Sequence, residues 1–553
     1  MQALCAICQV YRVVKARYVL LAVIFSSCSL YAIGLPAAWK VAPPVDGDKY
    51  TGRSTDTVYA GQPRMAAGGN RSGASSHTYL PTVSRSYRQY MGGQDVVVAG
   101  AGSLSGTGNS TGGYSRQTVG PGLEGISAFT TADTVLNVNI NNKYDFDAPP
   151  TTRNSLTRWF YYGGAVEIKA DYERNYNLDD DDDADILVLE PQLKLAFTIK
   201  PTRYIWSYTD FNLKHKTTTI DRQNNEDSKT SLTVKRAYVM FDKIMEDFSF
   251  KVGRQRFKDK REWFYDEELD GAKLYYRNRR VKFEVSASRE NYFDDDLLNS
   301  SNNDDKINNY FASGQFKVSN ENRVTLYALV RDDRSEDGGR PVFLGTQVRG
   351  KYAGKSSFWL SGAYVIGEDE ITSGEDKHDD IRAYGFDLGT TFVFDTALSP
   401  SLTFAYAWGS GDSDLDDDTN KNFRQTDLQD NNARFNGVTS FKYYGELMDP
   451  ELSNMSIWYG GVGIRPTKKS SIDLIYHDYR QVEASDDIRD SDLDTDPNGM
   501  DKDLGREVDL VIGYQEIKNL NTELIVAYFW PGDAFSDDAD DALFAGLQMR
   551  YNF

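Results

Sequence analysis

Cysteine is nearly missing from this chain: Cys5, Cys8 and Cys28 are the only three, and all precede residue 30. That distribution excludes a disulfide scaffold, a thiolate metal centre and a cysteine nucleophile from everything downstream. Histidine is also scarce, with His77, His215, His378 and His477 the full set. His77 falls in a low-complexity stretch, His378 in a loop, and His477 beside Asp478 on a strand, where neighbours face opposite ways. A Ser-His-acid triad therefore has little to stand on, and the chain is not expected to be an enzyme. After residue 40 no apolar run reaches the length of a spanning helix. Positive charge is in deficit, the net charge being −20, which argues against nucleic acid as a partner.

What is present is a rhythm. From about Gly163 to Phe553, short stretches alternate apolar and polar residues. They fall at 163–173, 186–199, 202–216, 230–242, 247–257, 268–277, 281–291, 307–318, 322–333, 342–353, 356–367, 381–395, 400–410, 454–466, 469–481, 504–516, 521–531 and 541–553. In the last of these, Leu543, Ala545, Leu547, Met549 and Tyr551 alternate with Phe544, Gly546, Gln548, Arg550 and Asn552. A period of two puts the two sets on opposite faces of a strand. Gaps after even-numbered stretches are tight, such as Lys200–Pro201 and Thr467–Lys468, and gaps after odd-numbered ones are longer, up to 411–453. Tight turns at one end and long loops at the other mark an outer-membrane β-barrel. The expectation is all-β: a transmembrane barrel of eighteen antiparallel strands with both ends periplasmic. The aromatic share of 13% is enough to supply interfacial girdles.

Residues 1–38 read as a signal peptide: Arg12, Lys15 and Arg17, then an apolar core from Val19, then small residues up to Ala38. Residues 39–150 are rich in Gly, Ser and Thr, as in the run from Ala99 to Gly113, and read as a flexible periplasmic extension. Thr134–Ile140 is a short strand candidate within it, and a plug inside the lumen is the rival reading. Residues 151–553 form the barrel. Acidic residues concentrate in the expected external loops, including Asp412–Asp418, Asp486–Asp503 and Asp537–Asp541. Most serve as solvated loops. Asp494, Asp496 and Asn498 alternate around Gly499 like the first half of a calcium loop, so weak Ca²⁺ binding is expected there, though Gly505 stands where a bidentate Glu would complete it. No cofactor is required.

Several segments resemble the bacterial alginate export family of outer-membrane porins. They are Lys235-Arg236-Ala237-Tyr238-Val239, Val252-Gly253-Arg254-Gln255-Arg256-Phe257, Phe435-Asn436-Gly437 with Glu451-Leu452-Ser453-Asn454, Tyr476-His477-Asp478-Tyr479-Arg480, Gly505-Arg506-Glu507-Val508-Asp509 and Pro531-Gly532-Asp533-Ala534. They occur in the family's order and cover most of 163–553. The resemblance implies a porin that exports an anionic polysaccharide through an Arg/Lys-lined lumen, working with lipopolysaccharide around it and a periplasmic scaffold below. It also implies substrate contact by Lys169, Arg236, Arg254, Arg256, Arg434 and Arg550. The chain departs from the pattern at Glu190-Pro191 and at Ile525-Val526-Ala527, where the family carries arginines.

Strand parity independently sends Lys169, Lys194, Lys273, Arg349, Lys351 and Arg550 inward, together with Glu167, Glu190, Glu284, Asp387, Asp473 and Asp509. Such a mixed lining is equally a salt-bridge lattice. At 247–257 parity is ambiguous unless a bulge intervenes at Gly253, and one is assumed. A general anion or sugar porin is the alternative to an exporter. An exporter is expected to seal its lumen with folded loops, and 411–453 is long enough.

Overall fold

The structure, a computed structural model, describes residues 148–553 except 180–184, 221–224, 246, 294–295, 300–304, 336–337, 353, 371–377 and 415–416. The signal peptide, the strand candidate 134–140 and nearly all of the extension lie outside the described residues. The wall consists of β1 (Phe160–Arg174), β2 (Ile186–Ile199), β3 (Ile205–Ile220), β4 (Asn225–Met245), β5 (Phe248–Lys258), β6 (Asp266–Arg277), β7 (Val281–Arg289), β8 (Ile307–Lys317) and β9 (Arg323–Asp333). It continues with β10 (Arg340–Lys351), β11 (Ser357–Glu368), β12 (Asp380–Val393), β13 (Ser401–Gly409), β14 (Met455–Thr467), β15 (Ser470–Gln481), β16 (Asp503–Tyr514), β17 (Leu520–Pro531) and β18 (Ala542–Asn552).

Each strand pairs antiparallel with the next, and β18 returns to β1 through pairs such as Glu167↔Arg550 and Lys169↔Gln548. The barrel of eighteen strands is therefore closed. Closure leaves no strand edge to face lipid, where an unpaired backbone group would find no partner. The long insertion 410–454 does not interrupt it, because β13 and β14 still pair directly, Tyr406 opposite Trp458. One segment read as loop is wall: β3 and β4 run on and pair out to Ile220↔Asn225. Thr217, Thr218, Thr219 and Ile220 are β-branched, which favours the extended backbone.

The outer face carries exposed Leu213, Val285, Leu326, Leu360, Phe404 and Val462. At the short-turn end aromatic rings touch from strand to strand, Tyr276 with Phe283 and Phe283 with Phe316. Tyr406 and Trp458 do the same across β13 and β14, and Tyr528 and Trp530 touch along β17. The inner face is polar and paired: Lys194 with Glu167 at 2.8 Å, Lys214 with Glu190 at 3.2 Å, Lys273 with Glu284 at 3.4 Å.

The residues just before the barrel reach into this inner face. Arg550 Nη2 donates to the Ala148 carbonyl at 2.9 Å and the Tyr208 hydroxyl to the Pro150 carbonyl at 3.3 Å, while the Thr152 and Thr198 hydroxyls lie 2.9 Å apart. Residues 148–152 thus lie against the lumenal wall at the end where Phe553 closes onto Gly164.

Candidate functional site

Two segments fold from the long-loop end into the lumen. One is the insertion 410–454, the other the β5–β6 connection 259–265. Trp263, Phe264, Phe423, Phe441, Tyr443 and Tyr444 are buried in a single cluster with Leu447, Met448 and Leu452. Trp263 Nε1 donates to the Tyr444 hydroxyl at 2.9 Å, and the Gln425 amide to the Trp263 carbonyl at 2.8 Å. Arg261 lies between the Trp359 and Tyr443 rings, 4.1 and 4.2 Å from their centroids, and reaches Asp387 at 3.0 Å. Those contacts tie the connection to β11, β12 and the insertion together. The insertion also comes close to the wall. Gly445 has φ +118°, and a Cβ there would stand 2.2 Å from the Tyr479 hydroxyl, so only glycine fits.

The β5–β6 hairpin brings its own tip inward. Pairing of β4 with β5 ends at Ala237↔Arg254, and pairing of β6 with β7 ends at Asp270↔Arg289. The hairpin itself continues to Lys258↔Asp266. Beyond Gly253 it leaves the wall, and Arg254, Gln255, Arg256 and Phe257 are all buried although they alternate in face. Gly253 marks the departure with φ +119°. The expected bulge is not in this hairpin, whose register is unbroken from Gly253↔Gly271 to Arg254↔Asp270. The register slip lies one strand earlier, where Asp210 pairs with Arg236 and Phe211 with Val234, leaving Lys235 as the extra residue.

This geometry decides the surroundings of the cations picked out by resemblance. Arg236 faces inward and meets Glu268 at 2.7 Å and Asp210 at 3.6 Å. Its carboxylates come from β3 and the inturned hairpin, whereas Glu190 is held by Lys214. Arg254 donates to Asp270 at 3.2 Å and to the Phe293 carbonyl at 2.9 Å, clipping an external loop over the gap that the hairpin leaves. Arg256 is bonded to Asp266. Lys169 pairs with Asp171 at 3.0 Å, and Arg550 reaches Glu167 at 3.9 Å and Asn552 at 3.1 Å. Five of the six therefore sit in ion pairs within the wall and hairpin.

The sixth, Arg434, belongs to a different assembly. Arg323 on β9 stands opposite Lys317 on β8 and Arg349 on β10. All three carry the inward parity of Tyr327 and Phe343, which are buried in the lumen. Like charges directly opposite destabilise a sheet. Lys260, at the bottom of the inturned connection, joins them. Its ammonium is pushed well below the ordinary 10.5, first by burial and then by the charges of Arg349, Arg323, Arg434 and Lys351. Four elements distant in sequence thus converge their positive charge on one part of the lumen. Lys260, Arg323, Arg349, Lys351 and Arg434 all retain partial exposure. Parity had singled out Arg349 and Lys351, and the same rule applied to 322–333 would have found Arg323. Lys260 lies on a loop, where no periodicity reports direction.

Beside this cluster, a cavity of about 780 Å³ runs from Asp259, Phe264 and Gln347 to Arg277 and Arg279 at the short-turn end. This part of the short-turn end is open space; elsewhere the insertion reaches the short turns, Asn436 donating to the Ser399 carbonyl at 2.9 Å and Gln515 to the Val438 carbonyl at 3.1 Å.

At the external loops, Asn498 is engaged by the fold: its Oδ1 accepts from Met500 and Asp501, and its amide donates to the Asp533 carbonyl at 2.9 Å. Asp496 is held above its ordinary range by partial burial and by Asp487, Asp486 and Asp494.

A closed barrel with a lipid-facing apolar belt, a polar lumen and inturned loops defines a transport porin of the bacterial outer membrane. Residues 162–544 match the alginate export family, and the chain belongs to it. It is similar to alginate production protein AlgE of Pseudomonas aeruginosa, 27% identical over 237 residues, covering 37% of this chain and 47% of that protein. It is similar also to alginate production protein AlgE of Azotobacter vinelandii, 30% identical over 184 residues, covering 32% and 36%. The matches thus span less than half the length of these curated relatives. Among solved structures it resembles Pseudomonas aeruginosa OccK7 (OpdD), with TM-score 0.46 and 14% identity over 71% of this chain and 98% of that one. Outer membrane protein OprD of the same organism gives TM-score 0.43 and 12% identity, over 71% and 93%.

Proposed function

We propose that this protein exports an anionic polysaccharide, a polyuronate of the alginate type, across the outer membrane. The observation that carries the reading is the convergence of Lys260, Arg323, Arg349, Lys351 and Arg434 on one part of the lumen. Cations in a narrow pore of low dielectric focus the field and draw carboxylates in. Arginine suits a uronate because its planar fork takes a carboxylate through two hydrogen bonds and keeps its charge. The polymer enters from the periplasmic end, where the cavity opens, and leaves past the inturned loops once they yield.

A general anion or sugar porin is the second reading. The packed insertion 410–454 favours export, since a diffusion porin has no need to pack its lumen with a folded loop. The protein performs no chemistry, and the driving energy comes from polymer synthesis. A periplasmic scaffold and surrounding lipopolysaccharide are its partners. Planar-bilayer recording tests the reading. Polyuronate added on the periplasmic side should block the current at concentrations where a neutral glucan does not. Equal block by both polymers would return the protein to the general-porin class.

A further inference from the structure

Under the inturned insertion lies a group of side chains that the cationic path does not use. His477 on β15 stands opposite Glu507 on β16, with Asp509 two residues further along the same inward face. All three are fully buried, and their ligand atoms lie within 4.8 Å of one another.

The histidine's tautomer follows from its neighbours. Nε2 faces the Tyr443 carbonyl at 3.3 Å, so it carries the hydrogen and donates. Nδ1 is then left with a lone pair. That lone pair points toward the Asp509 carboxylate, with Oδ2 at 3.6 Å. Nδ1 and the two Asp509 oxygens make no hydrogen bond of ordinary geometry, and Asp509 has only the Glu507 carboxylate and the Glu446 backbone N–H close by. Lone pairs facing lone pairs in a buried site repel unless a cation lies between them. Glu507 adds a second negative charge. Its own acceptor sites are already taken by the backbone N–H groups of Glu446, Leu447 and Met448 and by the Tyr479 hydroxyl.

The ring is also held in orientation, parallel to Tyr479 at 8° and to Tyr459 at 18°. A backbone carbonyl on the far ring nitrogen and a fixed ring plane are what a metal-ligating histidine has.

We infer that His477 Nδ1 and the Asp509 carboxylate bind a divalent transition metal, zinc in the first instance, with Glu507 neutralising its charge at short range. One nitrogen and a carboxylate suit zinc; calcium asks for six or more oxygens, which this pocket does not offer. The metal's place gives it a task. The same histidine holds the Tyr443 carbonyl, and the same glutamate holds the 446–448 backbone. An ion on Nδ1 would therefore lock the insertion 443–448 against β15 and β16. The inference stands independently of which solute the porin carries.

The test uses the full-length barrel, stripped with chelator and titrated with Zn²⁺ by calorimetry, with Co²⁺ as the spectroscopic probe. A single buried zinc per chain is expected, with nitrogen ligation evident in the cobalt spectrum and a higher melting temperature on loading. Asp509→Asn should abolish binding and the thermal shift, and Asp496→Asn in the external loop should leave both intact. If Asp509→Asn fails to fold, His477→Gln and the wild-type titration still decide. No stoichiometric binding by the wild-type barrel would overturn the inference and leave a proton between His477 and Asp509. Binding that survives loss of either residue would overturn it too.

Discussion

Arg323 and Arg349 stand directly opposite one another on neighbouring strands, both on the inward face of the wall. Two guanidinium groups in that position repel, and the fold retains them together with Lys260 and Arg434. Asp473 lies near Arg434 and Glu321 near Lys351 at the margins of this cluster.

Replacing Arg323 and Arg349 together by Glu should turn an anion-preferring pore into a cation-preferring one. Reversal potentials across a salt gradient read the change directly. The two glutamates still oppose each other across the strands but gain Lys317 and Lys260 as neighbours, so the barrel should fold about as well as the wild type. An unchanged reversal potential would place the selectivity elsewhere.

Arg236 and Arg254 should behave differently. Arg236→Ala strands Asp210 and Glu268 in a buried site, and breaking such a pair typically costs roughly 3–5 kcal/mol. The expected result is a lower urea midpoint for unfolding, with the ion preference of the folded fraction little altered. If Arg236→Ala abolishes anion selectivity at unchanged stability, the arginine faces the solute after all.

Lys260 links the cationic cluster to pH. Its pKa lies well below 10.5 in the folded barrel, so between that value and 10.5 the unfolded chain binds more protons than the folded one. Stability should therefore rise with pH across that window, and the full penalty should be present below it. Lys260→Met should be more stable than the wild type at low pH, with the difference fading toward pH 10.5. Urea midpoints measured as a function of pH check both the sign and the window. The same deprotonation should weaken anion preference in wild type and not in Lys260→Met.

The inturned segments should limit conductance. Arg261 holds the 259–265 connection to Asp387 and between Trp359 and Tyr443. Arg261→Ala should raise the frequency of open events in single-channel records, and deleting 415–450 should raise the open conductance several-fold. A deletion that conducts like the wild type would mean that the constriction lies below the insertion.

At the external loops we propose weak Ca²⁺ binding by Asp494 and Asp496, where mutual repulsion among Asp486, Asp487, Asp494 and Asp496 calls for a counter-charge. Calorimetry should register Ca²⁺ binding that Asp496→Ala removes. Identical heats from the two proteins would leave the loop as a solvated acidic surface.

Alternation alone determined the barrel. A strand exposes successive side chains to opposite sides, so a wall between lipid and water must be written with a period of two. The spacing of tight and long gaps then fixes which connections lie at which end. Every stretch read this way is a strand, and the inward parity of Glu167, Lys194, Arg349 and Asp387 followed from the same rule. Parity ends where a strand stops being wall. At Gly253 the hairpin turns into the lumen, and both of its faces become interior, so Arg254 and Arg256 are buried whichever way alternation would point them. Only the tertiary fold decided that Asp210 and Glu268 neutralise Arg236, that Lys260 and Arg434 arrive from loops to join Arg323 and Arg349, and that His477 faces Asp509 under the insertion. Those contacts join residues tens to hundreds of positions apart through loops that obey no period. The energy that selects them is pairwise electrostatics and packing within the closed lumen.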